Sequence, residues 1–264
     1  MDKILLFIPM YNCEQQITRV LNQIDKGVRK WVTEILVVNN ISTDNGERAV
    51  IDYIERNNDL NIRLHRNNEN YGLGGSHKVA FQYAVENGFD HVIVLHGDDQ
   101  GNIDDIIPYL DKGIHRQSDC LLGARFQKGA RLQGYSAFRT FGNKVYNALF
   151  SLISREKIYD LGSGLNCYST KMLKDEYYRW FPDNLTFNYC MILASVYKKH
   201  RIIFFPISWR EEDQVSNVKL FNQAIVVLKL LKKYALNKKR FMSEDHRIKL
   251  IDNYSSIVVK TSNK

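Results

Sequence analysis

His96-Gly97-Asp98-Asp99-Gln100 follows directly on the apolar run His91-Val92-Ile93-Val94-Leu95. A run of this kind reads as a buried strand, and ligands at alternate positions just past its carboxyl end are well placed to hold a divalent cation. A cation there can neutralise a diphosphate leaving group. The same residues also read as a polar turn, with Gly97 at the bend and Asp98 or Asp99 capping a helix that begins near Ile103.

The elements around this junction repeat a strand-then-helix rhythm. Lys3 to Ile8, Glu34 to Val38, Asn61 to His65, His91 to Leu95 and Asp119 to Leu122 read as strands. Helical patterns lie between them, near Glu14 to Asp25, Asn45 to Arg56, Ser76 to Glu86 and Ile103 to Asp111. This alternation predicts a doubly wound α/β fold, a mainly parallel sheet with helices on both faces, whose ligands gather at the carboxyl ends of the strands. Those ends carry Pro9-Met10-Tyr11-Asn12-Cys13-Glu14, Asn39-Asn40-Ile41-Ser42-Thr43-Asp44 and the His96 to Gln100 segment. After Leu122 the rhythm loosens. A basic stretch from Arg125 to Arg139 leads to helices near Phe141 to Ile153 and Asn188 to Lys199, the strand Ile202 to Phe205, and an amphipathic segment from Leu220 to Tyr234.

Composition narrows the class. Hydrophobic content of 44% and charged content of 25% are those of an ordinary globular protein. The four cysteines, at 13, 120, 167 and 190, have no paired spacing, which argues against a disulfide framework or a zinc knuckle and favours a reducing, cytoplasmic setting. The start lacks the pattern of a secretory signal, and no apolar run approaches the ~20 residues of a membrane-spanning helix. With no linker composition in sight, residues 1–235 read as one catalytic domain and residues 236–264 as a basic, partly mobile tail, polar beyond Ser243 except at Ile257 to Val259. The net charge of +8 calls for an anionic partner. No nucleic-acid signature is present, so nucleic acid is not expected; lipid headgroups and sugar-nucleotide phosphates remain.

The ordered set PMYNCE, VVNNISTD, NYGLGG and HGDDQ resembles family 2 glycosyltransferases of the GT-A fold, nearest the dolichol-phosphate mannosyltransferase branch, over roughly Lys3 to Tyr234. The resemblance implies a metal-dependent, inverting transfer from a nucleotide-diphosphate sugar to a polyprenyl phosphate. Pro9, Tyr11 and Glu14 match the family's nucleoside-binding turn. At the second strand end the family has two aspartates and a glycine where this chain has Asn39, Asn40 and Ile41, which leaves the base preference open. Asn70, Gly72 and Gly74 match the family's glycine segment, whose physical use is close backbone approach and a free helix N-terminus near an anion.

For the metal, the family pattern Asp-x-Asp-x-Gln falls on His96, Asp98 and Gln100. Imidazole suits borderline metals better than magnesium, so either His96 ligates and favours manganese, or Asp99 and water take its place. Arg125 and Arg139 fall at family arginine positions, Asp160-x-x-Ser163-Gly164 at an element near the acceptor, and Arg210 with Ser216 to Lys219 loosely at a phosphate-closing loop. Arginine's planar fork suits such phosphates. Thr186 to Met191 lacks the carboxylate that hydroxyl-glycosylating relatives use as base, and an already ionised phosphate acceptor needs none. The basic cluster around Lys232, Lys233, Lys238 and Lys239 has the composition of a segment meeting an anionic membrane surface. Two rivals remain: a glycosyltransferase acting on a polysaccharide hydroxyl with Asp160 or Asp213 as base, and a degenerate domain that binds nucleotide sugar without catalysis.

Overall fold

The structure, a computed structural model, describes residues 2–212 and 220–262. The strands β1 (Ile4–Met10), β2 (Glu34–Asn39), β3 (Ile62–Asn67) and β4 (His91–Leu95) alternate with the helices α1 (Glu14–Asn22), α2 (Lys26–Arg29), α3 (Gly46–Arg56) and α4 (Gly72–Glu86). Then follow α5 (Ile107–Asp111), β5 (Cys120–Ala124), β6 (Arg131–Gln133), α6 (Ala137–Ser154), β7 (Leu165–Ser169), α7 (Thr170–Leu173) and α8 (Phe187–Tyr197). The chain closes with β8 (Ile202–Pro206), β9 (Ser208–Arg210), α9 (Leu220–Leu236), α10 (Lys238–Ser243) and β10 (Ser256–Thr261).

An eight-stranded sheet in the order β10-β3-β2-β1-β4-β7-β5-β8 forms the centre. β1 pairs in parallel with both β2 and β4, while β7 is antiparallel to β4 and β5. Strands buried on both faces need apolar residues at every position, and β1 and β4 are buried throughout. Their side chains alternate between two cores. Ile4, Leu6, Ile8, Ile93 and Leu95 pack with the α1, α3 and α5 layer, and Leu5, Phe7, Val92 and Val94 pack with α4, α6, α8 and α9. The doubly wound α/β expectation is met. A separate two-stranded ribbon joins β6 to β9.

Two expectations are corrected. The helix read from Glu14 to Asp25 stops at Asn22, because the Asp25 carboxylate accepts from the amides of Gly27 and Val28 and starts α2 instead. The tail beyond Ser243 is not free: its apolar patch is β10, which lies antiparallel on β3 and completes the sheet edge.

Candidate active site

The carboxyl ends of β1, β2 and β4 and the start of α4 converge on a cavity of about 400 Å³. Pro9, Met10, Tyr11 and Cys13 come from the first strand end, Asn40 from the second, and His96, Gly97 and Asp98 from the fourth. Asn70, Gly72, Leu73 and Ser76 form a third side, and Asn184 and Leu185 close the wall. Burial pushes the Cys13 thiol up to about 12, so it stays protonated and is no nucleophile.

The loops after β1 and β2 are laced together. The Thr43 amide donates to Asn12 Oδ1 at 2.8 Å, and the Asn12 amide donates to Ser42 Oγ at 3.1 Å. Glu14 serves this lacing: its amide donates to Asp44 Oδ2 at 2.8 Å and its carboxylate accepts from the Asn45 amide at 3.1 Å, outside the cavity lining. Asn39 is likewise spent on the turn, donating to Glu47 Oε2 at 2.7 Å and accepting from the Ser42 amide at 2.9 Å. Asn40 faces a different demand. It donates to Asn70 Oδ1 at 2.8 Å while its own Oδ1 accepts from Asn67 Nδ2 at 3.0 Å and the Tyr71 amide at 2.9 Å. The Asn40 amide supplies the donor to Asn70 that a carboxylate at this junction between β2 and α4 would lack.

The glycine segment commits two of the amides at the start of α4. Gly72 has φ +71, and a Cβ there would lie 2.5 Å from the Asp183 carbonyl; one on Gly74 would lie 2.5 Å from that of Pro182. The Gly74 amide donates to the Asp183 carbonyl at 2.7 Å and the Gly72 amide to Asn70 Oδ1 at 3.0 Å. The glycines therefore admit the 182–185 segment that forms the wall. Sequence reasoning missed this wall, and no local signal marks Asn184 or Leu185. A buried network fastens it: Lys78 Nζ donates to Asp183 Oδ1 and the Phe181 carbonyl, both at 2.6 Å, and to the Tyr254 hydroxyl at 3.0 Å. Tyr254 donates in turn to Asp183 Oδ1 at 2.8 Å. The C-terminal segment thus holds a side of the cavity.

His96 and Asp98 both line the cavity, whereas Gln100 lies in a neighbouring cleft of about 410 Å³ with Arg131, Gln133 and Arg210. The His96 amide donates to the Gly164 carbonyl at 2.9 Å, and a Cβ on Gly164 would meet the imidazole at 2.9 Å, so the ring rests on that glycine. Its Nε2 is buried with no hydrogen-bond partner. Burial, with the Arg125 charge behind it, pushes His96 down to about 4, which leaves the neutral imidazole that can ligate. Burial pushes the Asp98 carboxyl up to about 6, against the pull of the Gln100 amide, which donates to Oδ1 at 3.2 Å. The residues present fit a cation: an orphaned ring nitrogen and a desolvated carboxylate border one cavity. Asp99 is no substitute. It sits at φ +59, fully buried, taking Arg19 Nε at 2.7 Å and Gln23 Nε2 at 2.9 Å and pairing with Arg210. The helix cap is neither aspartate but Asn102, whose side chain accepts from the Asp104 amide.

Arg125 and Asp160 form a buried bidentate pair, with both side-chain bonds at 2.8 Å, and Arg125 stacks 4.9 Å from the Trp209 ring. Burial alone would lower the Arg125 pKa, but Asp160 overrides it and holds the charge. Asp160 is therefore committed to a cation. Arg139, in the first turn of α6, clasps Glu211 at 2.6 and 2.8 Å. Arg210 donates from Nε to the Asp99 carbonyl at 2.8 Å. Ser216 to Lys219 and Asp213 lie outside the described residues.

Among the described residues, a second set with metal-ligand spacing is Asp2, His91 and His115, whose ligand atoms lie within 4.8 Å of one another. It stands at the opposite end of β4. Asp2 Oδ2 already joins His115 Nε2 at 2.9 Å and Arg116 Nε at 2.7 Å.

Residues 6–179 match the model of glycosyl transferase family 2. The chain belongs to this family. It is a nucleotide-sugar-dependent glycosyltransferase. A curated relative is the UDP-N-acetylglucosamine–dolichyl-phosphate N-acetylglucosaminyltransferase of Methanococcus voltae, 25% identical over 184 residues, which are 66% of this chain and 72% of the relative. Among solved structures, S. aureus TarS 1-349 superposes with a TM-score of 0.60 at 20% identity, over 89% of this chain and 66% of that one, just under two thirds of its length. Glucosyl-3-phosphoglycerate synthase from Mycobacterium tuberculosis, in complex with Mn2+, UDP-glucose and phosphoglyceric acid, superposes at 0.60 and 13% identity over 92% of this chain and 80% of that one. The fold is GT-A.

Proposed function

We propose that this glycosyltransferase moves a sugar, with inversion, from a nucleoside-diphosphate donor to a polyprenyl-phosphate-type acceptor at an anionic membrane surface. The observation that carries the reading is the cavity at the carboxyl ends of β1, β2 and β4, in which Asp98 is the only carboxylate among the described lining residues. A sugar hydroxyl must lose a proton during attack and needs a free base. Asp160, one base on offer, is tied to Arg125. A phosphate monoester is already ionised near neutral pH. The relative from Methanococcus voltae, whose name specifies a dolichyl-phosphate acceptor, supports the same choice.

Tyr11, Asn40 and Asn70 line the part of the cavity suited to the nucleoside, with Pro9 and Gly72 shaping its backbone. His96 and Asp98 would hold a divalent cation, Mn2+ or Mg2+, with Gln100 adjoining them; a cation there supplies charge neutralisation for the departing diphosphate. A neighbouring structure containing Mn2+ with UDP-glucose is consistent with this donor chemistry. Arg139 and Arg210 each present a partly exposed guanidinium whose present partner is a carboxylate, and both can share it with phosphate oxygens. Arg125 and Asp160 remain paired with each other. Catalysis then rests on positioning and charge rather than on proton transfer.

The test is a transfer assay with a panel of nucleotide sugars, comparing polyprenyl phosphate in vesicles with oligosaccharide acceptors, with Mn2+ and Mg2+ in parallel. Transfer to the lipid phosphate is expected. Transfer only to a saccharide hydroxyl would overturn the acceptor assignment, and donor binding without transfer to either would leave a binding domain.

A further inference from the structure

α6 turns an apolar face to water. Its buried side enters the core through Asn147, Phe150 and Ser154. Its outer side carries Phe138 (78% exposed), Phe141 (68%), Val145 and Leu152 (76%), with Ala137 just before them and Ala148 among them. Steps of three, four and seven residues place these side chains in one stripe along a helix of 18 residues, about 27 Å at 1.5 Å per residue. Scattered exposed apolar residues need no explanation, but a continuous stripe marks an interaction surface.

Charge selects the occupant. α6 contains no Asp or Glu; Lys144 lies within the exposed face, Arg155 and Lys157 follow its end with Glu156 between them, and Glu211 is paired with Arg139 in its first turn. α9 packs beside α6, also lacks carboxylates, and exposes Ile225, Val226 and Leu228 among Lys229, Lys232 and Lys233. A second copy of this chain would bring one basic face against another. An anionic bilayer offers both the apolar medium and the opposite charge.

We infer that the outward stripe of α6 seats this enzyme in an anionic lipid surface, with Phe138 and Phe141 entering the acyl boundary and the lysines of α6 and α9 meeting the headgroups. This refines the membrane-surface part of the proposed function and rests on that reading only for the acceptor. The sequence pointed to the basic end of α9; the structure adds the helix that supplies apolar area. The stripe begins near the cleft that adjoins the candidate site, since Phe138 neighbours Arg139, which clasps Glu211, the residue after the cleft-lining Arg210. Docking along α6 would hold that arginine at headgroup level, where the phosphate of a membrane-held acceptor lies.

All four native cysteines are buried, so single exposed cysteines can be labelled selectively with an environment-sensitive fluorophore. Phe141→Cys and Leu152→Cys report on the stripe, and Arg56→Cys on α3 reports on the opposite layer. With phosphatidylglycerol-containing vesicles free of polyprenyl phosphate, emission from 141 and 152 should shift to the blue and be quenched by brominated lipid, while the label at 56 stays unchanged. The double variant Phe138→Glu/Phe141→Glu should partition at least tenfold less, with its far-UV circular dichroism and donor-induced thermal shift retained. No shift at 141 and 152, or an equal shift at 56, overturns the inference. So does a shift that appears without lipid and grows with protein concentration, which would assign the face to a second copy. If the labels respond but polyprenyl phosphate is not glycosylated, the acceptor reading falls and docking stands; if a short-chain polyprenyl phosphate in solution is glycosylated while the labels stay silent, docking alone falls.

Discussion

β4 carries a histidine and a nearby carboxylate at each end, and the two ends differ in everything else. At the amino end, His91 and His115 close on Asp2 in a compact set with metal-ligand spacing, but Arg116 and His115 already occupy the Asp2 oxygen. At the carboxyl end, His96 and Asp98 are fewer, yet they border a cavity of about 400 Å³. Density of ligands is a poor guide to chemistry here. A cation that serves a diphosphate takes few protein ligands, because the substrate brings its own oxygens. In a doubly wound sheet the carboxyl ends are where loops part to admit that substrate.

The sharpest way to break this contrast is to remove one acid from each end. Asp98→Ala should cost about 10²–10³ in transfer rate with the fold intact, as loss of a group acting on transition-state charge does. Asp2→Asn should leave the rate within about twofold, because its oxygen serves an ion pair of the kind whose loss is felt in stability. Steady-state rates and circular dichroism on both variants decide it; comparable rate losses would erase the distinction between the ends.

Next come the arginines. Arg139→Lys and Arg210→Lys keep charge and lose the fork, so each should lower kcat/KM on the order of tenfold. Unchanged rates in both would reduce them to partners of Glu211 and Asp99. A smaller change is expected from His96→Asp, which should move metal preference from Mn2+ toward Mg2+ in parallel rate measurements. An unmoved metal profile would remove His96 from the ligand set.

Much of this was legible in the sequence because the relevant signals are local. Unbroken apolar runs mark β1 and β4, the polar segments at their carboxyl ends mark the loops, and the order of the sheet brings those loops together. What escaped was non-local. β7 is a short strand with Asn166 as its second residue, inserted antiparallel between β4 and β5, and β10 pairs with β3 across a long stretch of chain, Ser256 lying opposite Asn67 and Val258 opposite His65. Neither has a turn signal linking it to its neighbour. The wall at Asn184 and Leu185 depends on Lys78, Asp183 and Tyr254, separated by 105 and 71 residues, and on glycines whose purpose shows only when the opposing backbone is in place. Asn40 looked like a departure from an acidic pattern; its need to donate to Asn70 appears only once the loops are seen together.

The mildest prediction concerns that wall. Burial pushes Lys78 down from 10.5 to about 8, although Asp183 opposes the shift. Below pH 8 the amine is charged in both folded and unfolded chains; between 8 and 10.5 the native state gives up its proton first, the unfolded state binds more protons, and stability rises with pH. Urea unfolding of the wild type against Lys78→Met should show the difference between them moving in favour of the wild type by about 1 kcal/mol from pH 8 to pH 9. A flat or opposite trend would mean that Lys78 is not desolvated as described.

The central claim is that the donor binds at the carboxyl end of β4. Calorimetric titration with UDP and GDP, with and without Mn2+, tests it most directly in the wild type, Asp98→Ala and Asp2→Asn. The account predicts nucleotide binding that strengthens with Mn2+ in the wild type and in Asp2→Asn, and loses that dependence in Asp98→Ala. Metal-dependent binding that survives in Asp98→Ala and disappears in Asp2→Asn would contradict it.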